Sequence, residues 1–296
     1  MTELLKIVLA AFLLYGCSGT SEMEKKELSI AKSYNETIEV LGRQGLATDG
    51  EFIFVSGTKE LFKYTLDGKL LAENLNPFKG IAFEVNHIGD IDVKGDEIYS
   101  CVERFANGRG DNFVIAIYSK DDLSLKRILL PGNDSPQNEV SGIAIDTERS
   151  IFWLSDWTDS KNIYYYDLNS GEYRGKIVLK NDLLYPQGVF VYNNYLLVTA
   201  DNGDAENNES DHLYAIKTNP FTDQLAVPII AKVFSDVKRE GEIEGLTINK
   251  NKMELLVLFN RGARIIKGIP AGFYPGFEKE IHEIYSYKIC SKFPED

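Results

Sequence analysis

Five times along the chain one pattern recurs: a small or polar residue before an apolar run, a polar turn, a second strongly apolar run, and a variable loop leading to a third. The units start at Gln44 (QGLATDGEFIFVSGTKELFKYTL), Gly89 (GDIDVKGDEIYSCVE), Ser141 (SGIAIDTERSIFWLSDWTDSKNIYYYDLNSG), Gln187 (QGVFVYNNYLLVTADN) and Glu244 (EGLTINKNKMELLVLFNRG), at spacings of 45, 52, 46 and 57 residues. A period of this size constrains the fold more than any single motif, because such a unit cannot cover its own apolar faces and must stack on copies of itself. The runs are nearly continuous in apolar residues, as in strands buried on both faces, and no long helical periodicity separates them. The expected fold is an all-β propeller of four-stranded antiparallel blades. Five repeats are read, and a sixth, degenerate one has room only within 261–296. The fifth shows three strands, so the strand-like segment at 26–41 is expected to supply its fourth and close the ring.

Ahead of the repeats, MTELLKIVLAAFLLYGC carries an apolar run from Ile7 to Tyr15 that is too short to span a bilayer but suits the core of an export signal. Leu14-Tyr15-Gly16-Cys17 resembles the bacterial lipobox, which implies cleavage before Cys17 and a lipid on its thiol. Residues 1–16 are thus expected to be a lipoprotein signal peptide, 17–25 a polar tether, and 26–296 a single propeller domain. The implied place is the cell envelope, anchored to the membrane by lipid. Cys101 and Cys290 remain, either bridged or with Cys101 as a buried thiol inside an apolar run.

Lys and Arg number 32 against 45 Asp and Glu, a formal net charge of -13. With no basic stripe to concentrate positive potential, nucleic acid is excluded as an expected partner. Phosphate-binding glycine loops, G-x-S-x-G, H-E-x-x-H and dinucleotide fingerprints are absent from the sequence.

In a propeller, the loops entering each first strand and leaving each second strand meet around one mouth of the central channel. His87 and Asp90, Gln187 and Glu244 stand at the starts. Glu103, Asp156 with Trp157, Asp201 with Asn202, and Asn260 with Arg261 stand at the exits. Such residues also cap strand ends by bonding neighbouring backbone, and this structural reading stands beside the functional one for each.

The segment IFWLSDWTDSKNIYYYDLNSG resembles a YWTD-type or NHL-type repeat. The recurrent QG, SG, QG and EG resemble the propeller superfamily of gluconolactonases, paraoxonases and strictosidine synthase. By that resemblance Glu244, Asp201, Asn202, Asn260 and Gln187 are the implied ligands of a Ca²⁺ ion, with His87 or Asp90 activating water. Glu103, Asp156, Trp157 and Arg261 are expected to contact the ligand. Two functions follow: a lipid-anchored module binding a small molecule, glycan or peptide at the mouth, or a Ca²⁺-dependent hydrolase of lactones or esters. A glycosidase using Asp90, Glu103, Asp156 and Glu244 is more distant.

Overall fold

A computed structural model of the chain describes residues 28–132, 134–158, 160–218, 225–238, 240–266 and 269–291. They form five antiparallel sheets of four main strands each. Blade 1 runs Leu46–Thr48, Phe52–Ser56, Leu61–Thr65 and Leu70–Asn74; blade 2 runs His87–Lys94, Glu97–Ala106, Arg109–Ser119 and Leu125–Leu129. Blade 3 is Gly142–Asp146, Ile151–Ser155, Asn162–Asp167 and Tyr173–Val178, and blade 4 is Pro186–Tyr192, Tyr195–Ala200, His212–Lys217 and Ile229–Val233. Blade 5 holds Ile243–Asn249, Glu254–Arg261 and Ile281–Ser291. Its fourth strand is Glu36–Val40, which pairs with Ile281–Ser291 from Glu36 opposite Ser286 to Val40 opposite His282. The N-terminal segment therefore closes a ring of five. The stretch where a sixth unit had room instead holds the third strand of blade 5 and a hairpin, Ala263–Ile266 with Ile269–Phe273.

The apolar pattern explains the stacking. First and second strands of blade 3 are buried throughout, whereas its fourth strand is partly exposed. Successive side chains point to opposite faces of a strand. Ile143 and Ile145 accordingly join the cluster shared with blade 2, and Ala144 with Trp153 joins the cluster shared with blade 4. Five such clusters form the core, each at a seam between neighbouring blades.

At the axis the first strands of neighbouring blades touch. Close approach there requires glycine. A Cβ on Gly45 would fall 2.6 Å from the Ile91 nitrogen, and one on Gly245 would fall 2.5 Å from the Leu46 nitrogen. Gly89, Gly142 and Gly188 are similarly confined against the neighbouring blade. This is the physical content of the glycine in each repeat. Cys101 is a free, buried thiol, so a Cys101–Cys290 bridge does not form. The signal peptide, Cys17 and the tether lie outside the described residues.

Candidate functional site at the channel mouth

Where the first strands begin and the second strands end, the ring opens into a cavity of about 200 Å³. All five blades contribute: Arg43 and Gln44 lead into blade 1, His87, Glu103 and Phe105 come from blade 2, and Ser141 and Trp157 flank blade 3. Gln187 comes from blade 4, while Glu242 precedes the first strand of blade 5 and Glu244 lies within it. The blade 5 hairpin reaches over this mouth, with Ile265 and Pro270 in the lining.

One wall is an ion cluster. The Arg43 guanidinium lies 3.0 Å from Glu242, 3.2 Å from Glu280 and 3.9 Å from Glu244. Glu244 is only 2 % exposed and accepts a 2.6 Å hydrogen bond from the Asn260 amide nitrogen. Burial pushes its carboxyl well above the usual range, and the charges of Glu242, Asp201 and Glu280 add to this against the opposing pull of Arg43. Glu280 is raised by burial as well. Behind them burial, with Arg43 and Lys279 nearby, holds His282 down at about 4, so its imidazole is neutral near pH 7.

The other wall is aromatic. The His87 ring lies 5.3 Å from Phe105, Phe105 lies 6.1 Å from Trp157 edge to face, and Trp157 lies 4.8 Å from Tyr185. His87 Nδ1 is 3.3 Å from Glu103, whose other carboxylate oxygen accepts from the Val140 N–H at 2.9 Å. Burial raises the Glu103 pKa, with the contact to His87 opposing. Tyr185 takes a left-handed backbone, φ 51°, and its carbonyl accepts from the Asp201 N–H. A bulky residue in that region carries a local cost on the order of 1 kcal/mol or more, held here by the surrounding contacts.

Beyond Trp157 a second compartment of about 350 Å³ opens. It shares Trp157, Glu242 and Ile265 with the first, and adds Tyr185, Asp201, Asp204, Glu206 and Tyr274.

The expected residues therefore divide. His87, Glu103, Trp157, Gln187 and Glu244 line the mouth, and Asp201 lines the second compartment. Asp90 lines neither. Its two oxygens accept from Leu46 N–H of blade 1 and Val189 N–H of blade 4, clamping three blades together. Asp156 accepts from the Gln137 side chain at 2.7 Å, and Arg261 is held by Glu283 at 2.7 Å. Arg43, Glu242, Glu280, Phe105 and Tyr185 were not among the expected residues. The alternation in Glu242-Ile243-Glu244 and in Glu103-Arg104-Phe105 is the signal that each pair shares a strand face.

Two of the five donors expected for Ca²⁺, Asn202 and Asn260, turn their amide oxygens to histidines. Asn202 spends its amide oxygen on His212 at 2.7 Å and its nitrogen on Tyr214. Asn260 turns its nitrogen to Glu244 and its oxygen to His282, while Arg43 supplies the positive charge beside the carboxylates. Among the described residues no group of three or more His, Cys, Asp and Glu side chains is placed to hold a metal.

No protein-family model matches the chain, and no curated protein sequence does. Solved structures are similar in shape. The glutaminyl cyclase of Myxococcus xanthus superposes with a TM-score of 0.57 over 90 % of this chain and 99 % of that one, at 10 % identity. This likeness shows the propeller fold. A hydrazine synthase chain of Kuenenia stuttgartiensis, at 11 % identity over 75 % of this chain and 56 % of that one, reaches a TM-score of 0.43. A chain of a mitotic checkpoint complex also reaches 0.43, at 10 % identity over 96 % of this chain and 99 % of that one.

Proposed function

We propose that the chain is an exported, lipid-anchored propeller of the cell envelope that binds a small amine-bearing ligand at its channel mouth. The observation that carries the reading is the pairing of walls around one small cavity. Phe105 and Trp157 line the cavity together with Glu242 and Glu244, and Glu280 joins the glutamates on Arg43. An alkylammonium group is attracted both by the faces of aromatic rings and by carboxylates, at roughly 0.5–2 kcal/mol for each desolvated ring contact. The glutamates gathered on the Arg43 guanidinium give this wall hydrogen-bond acceptors beside the aromatic rings. An anionic ligand would meet the -13 net charge of the chain as well as these carboxylates.

Of the small molecules, glycans and peptides compatible with a propeller face, this favours ligands with a free amine. The neighbour named a glutaminyl cyclase adds glutaminyl compounds to the set to be tried, without any residue correspondence at 10 % identity. The Ca²⁺-dependent hydrolase is less favoured because two of its implied metal ligands, Asn202 and Asn260, point their amide oxygens at histidines. Export and anchoring rest on the apolar run and Cys17 of the sequence.

The test is calorimetry on the purified full-length chain with free amines, glutamine amide and their N-acetylated forms. Binding of the free amines that is lost on acetylation and weakened at least tenfold by Glu242→Gln or Trp157→Ala supports the proposal. Equal binding of acetylated forms refutes the amine. Membrane fractionation of a Cys17→Ser variant tests the anchor, which predicts its release from the membrane fraction.

A further inference from the structure

Each blade ends at an open edge, because its outermost strand has a neighbour on one side only. The outer strands of this ring are Leu70–Asn74, Leu125–Leu129, Tyr173–Val178, Ile229–Val233 and Glu36–Val40. Four of them carry exposed charge: Glu73 in blade 1, Lys126 and Arg127 in blade 2, Arg174 and Lys176 in blade 3, and Glu36 and Glu39 in blade 5. Such charges keep a bare edge from pairing with another. Blade 4 lacks them. Its Ile229, Ile230 and Val233 are 49, 53 and 43 % exposed, and Leu225 and Val227 just ahead of the strand are more than half exposed. The one charged residue of this strand, Lys232, is turned inward: its ammonium meets Asp236 at 3.3 Å, donates to the Lys32 carbonyl at 2.9 Å and lies 4.4 Å over the Tyr287 ring. With these partners in place it does not guard the edge. A bulge between third and fourth strands recurs in blades 1 to 4 and twists their edges alike, so charge is what sets blade 4 apart.

The backbone narrows the choice of partner. Ile229–Val233 pairs with His212–Lys217 on one side and with no strand on the other among the described residues. Ala226, just before it, is bonded to the rim of blade 3, its N–H to the Val178 carbonyl and its carbonyl to the Lys180 N–H. Residues 1–27 and 219–224 lie outside the described residues. A lipid surface would take up the apolar side chains but leave the backbone groups of the edge unpaired. A second strand satisfies both. When a strand pairs antiparallel with its own copy about a two-fold axis it meets the same residues, and like charges brought together there repel. Of the five outer strands, only that of blade 4 meets itself without exposed charge on either side.

We propose that the outer strand of blade 4 is a homodimer interface, pairing edge to edge with the same strand of a second chain. The contact lies at the rim of the ring, so both channel mouths stay open, and it does not depend on what they bind. Two chains of net charge -13 repel at long range, and at 0.15 M salt this repulsion is screened beyond about 8 Å, so the dimer tightens as salt is raised.

The experiment is analytical ultracentrifugation of the full-length chain over a hundredfold range of concentration, joined to hydrogen exchange of the backbone amides. Ile230→Lys places a charge on the edge of blade 4, and Leu71→Lys does so on the edge of blade 1 as control, each checked for wild-type thermal unfolding. The expected result is a monomer–dimer equilibrium that tightens with salt, weakens at least tenfold in Ile230→Lys and is unchanged in Leu71→Lys, with exchange at 229–233 slowing only as the dimer forms. A monomer at every concentration overturns the proposal, as does a dimer indifferent to Ile230→Lys. Protection of 229–233 that is the same at every concentration overturns it by showing the edge covered by its own chain. Flotation of a monomeric wild type, but not of Ile230→Lys, with phosphatidylcholine vesicles overturns it by assigning the patch to lipid.

Discussion

Replacing Asp92 by Asn should flatten the dependence of stability on pH. Asp92 sits in the first strand of blade 2, is 7 % exposed, and accepts the Ile145 N–H of blade 3 at 2.7 Å and the Val93 N–H at 2.7 Å. Burial pushes its pKa from 3.8 up to about 7, with those hydrogen bonds and Lys250 opposing. A carboxyl raised on folding binds its proton more tightly in the native state. Its stabilising effect is therefore full below the unfolded pKa near 3.8 and is lost as pH rises through about 7. Within that window the loss is about 1.4 kcal/mol per pH unit, so between pH 5 and pH 7 the chain should lose about 2 kcal/mol through Asp92 alone. Asp90 and Glu244, also raised by burial, act in the same direction. Urea unfolding followed by Trp153 and Trp157 fluorescence at pH 5, 6, 7 and 8 measures the slope. The variant should start less stable, because its amide nitrogen cannot accept a backbone N–H, yet lose about 2 kcal/mol less than wild type between pH 5 and 7. An unchanged slope would show that Asp92 is not the titrating group and would refute the reasoning.

Gly245→Ala should open the seam between blades 5 and 1, since its Cβ would lie 2.5 Å from Leu46 nitrogen and 2.8 Å from Asp90 Oδ1. A loss of about 1–3 kcal/mol or more in the urea midpoint is expected. Ser56→Ala removes a hydroxyl that accepts from Gly45 N–H and donates to Gly89 carbonyl, both at 2.7 Å, and orphaning these buried groups should cost about 1–3 kcal/mol each by the same assay. Removing the cation from the mouth by Arg43→Met leaves Glu242 and Glu280 crowded. Stability should fall by about 1–3 kcal/mol and recover in part in the Arg43→Met/Glu242→Gln double variant. Millimolar Ca²⁺ should leave the unfolding temperature of wild type and Glu244→Ala alike; a rise in wild type lost in the variant would restore a metal to the ring.

The repeat disclosed the blades because stacking of two-faced strands leaves its mark in every unit. Ile143, Ile145 and Ala144 cannot all be buried by one neighbour, and a ring supplies two. The closing strand Glu36–Val40 was legible for the same reason, as a strand with no unit of its own. The site was harder to read, since residues nearly 240 positions apart such as Arg43 and Glu280 meet only once the ring has closed. Resemblance to calcium enzymes counted oxygen atoms at the mouth but not their directions, and Asn202 and Asn260 point theirs at histidines.

A physical constraint separates the two kinds of polar residue at the axis. The inner edge of each blade has no further strand to pair with, so its backbone N–H groups must find other acceptors. Asp90 serves Leu46 and Val189, Asp92 serves Ile145, Ser56 serves Gly45, Ser155 serves Gly142, and Thr199 serves Gly188. Short polar side chains at an inner edge are thus required by the backbone, whatever the protein binds. Glu242 and Glu244 differ in where they are placed: their carboxyls meet at Arg43 beside the cavity, opposite the aromatic wall, at a site that backbone satisfaction alone does not explain. The stretch His87-Ile88-Gly89-Asp90-Ile91-Asp92 contains both kinds within six residues. His87 faces the cavity, while the two aspartates hold the ring together.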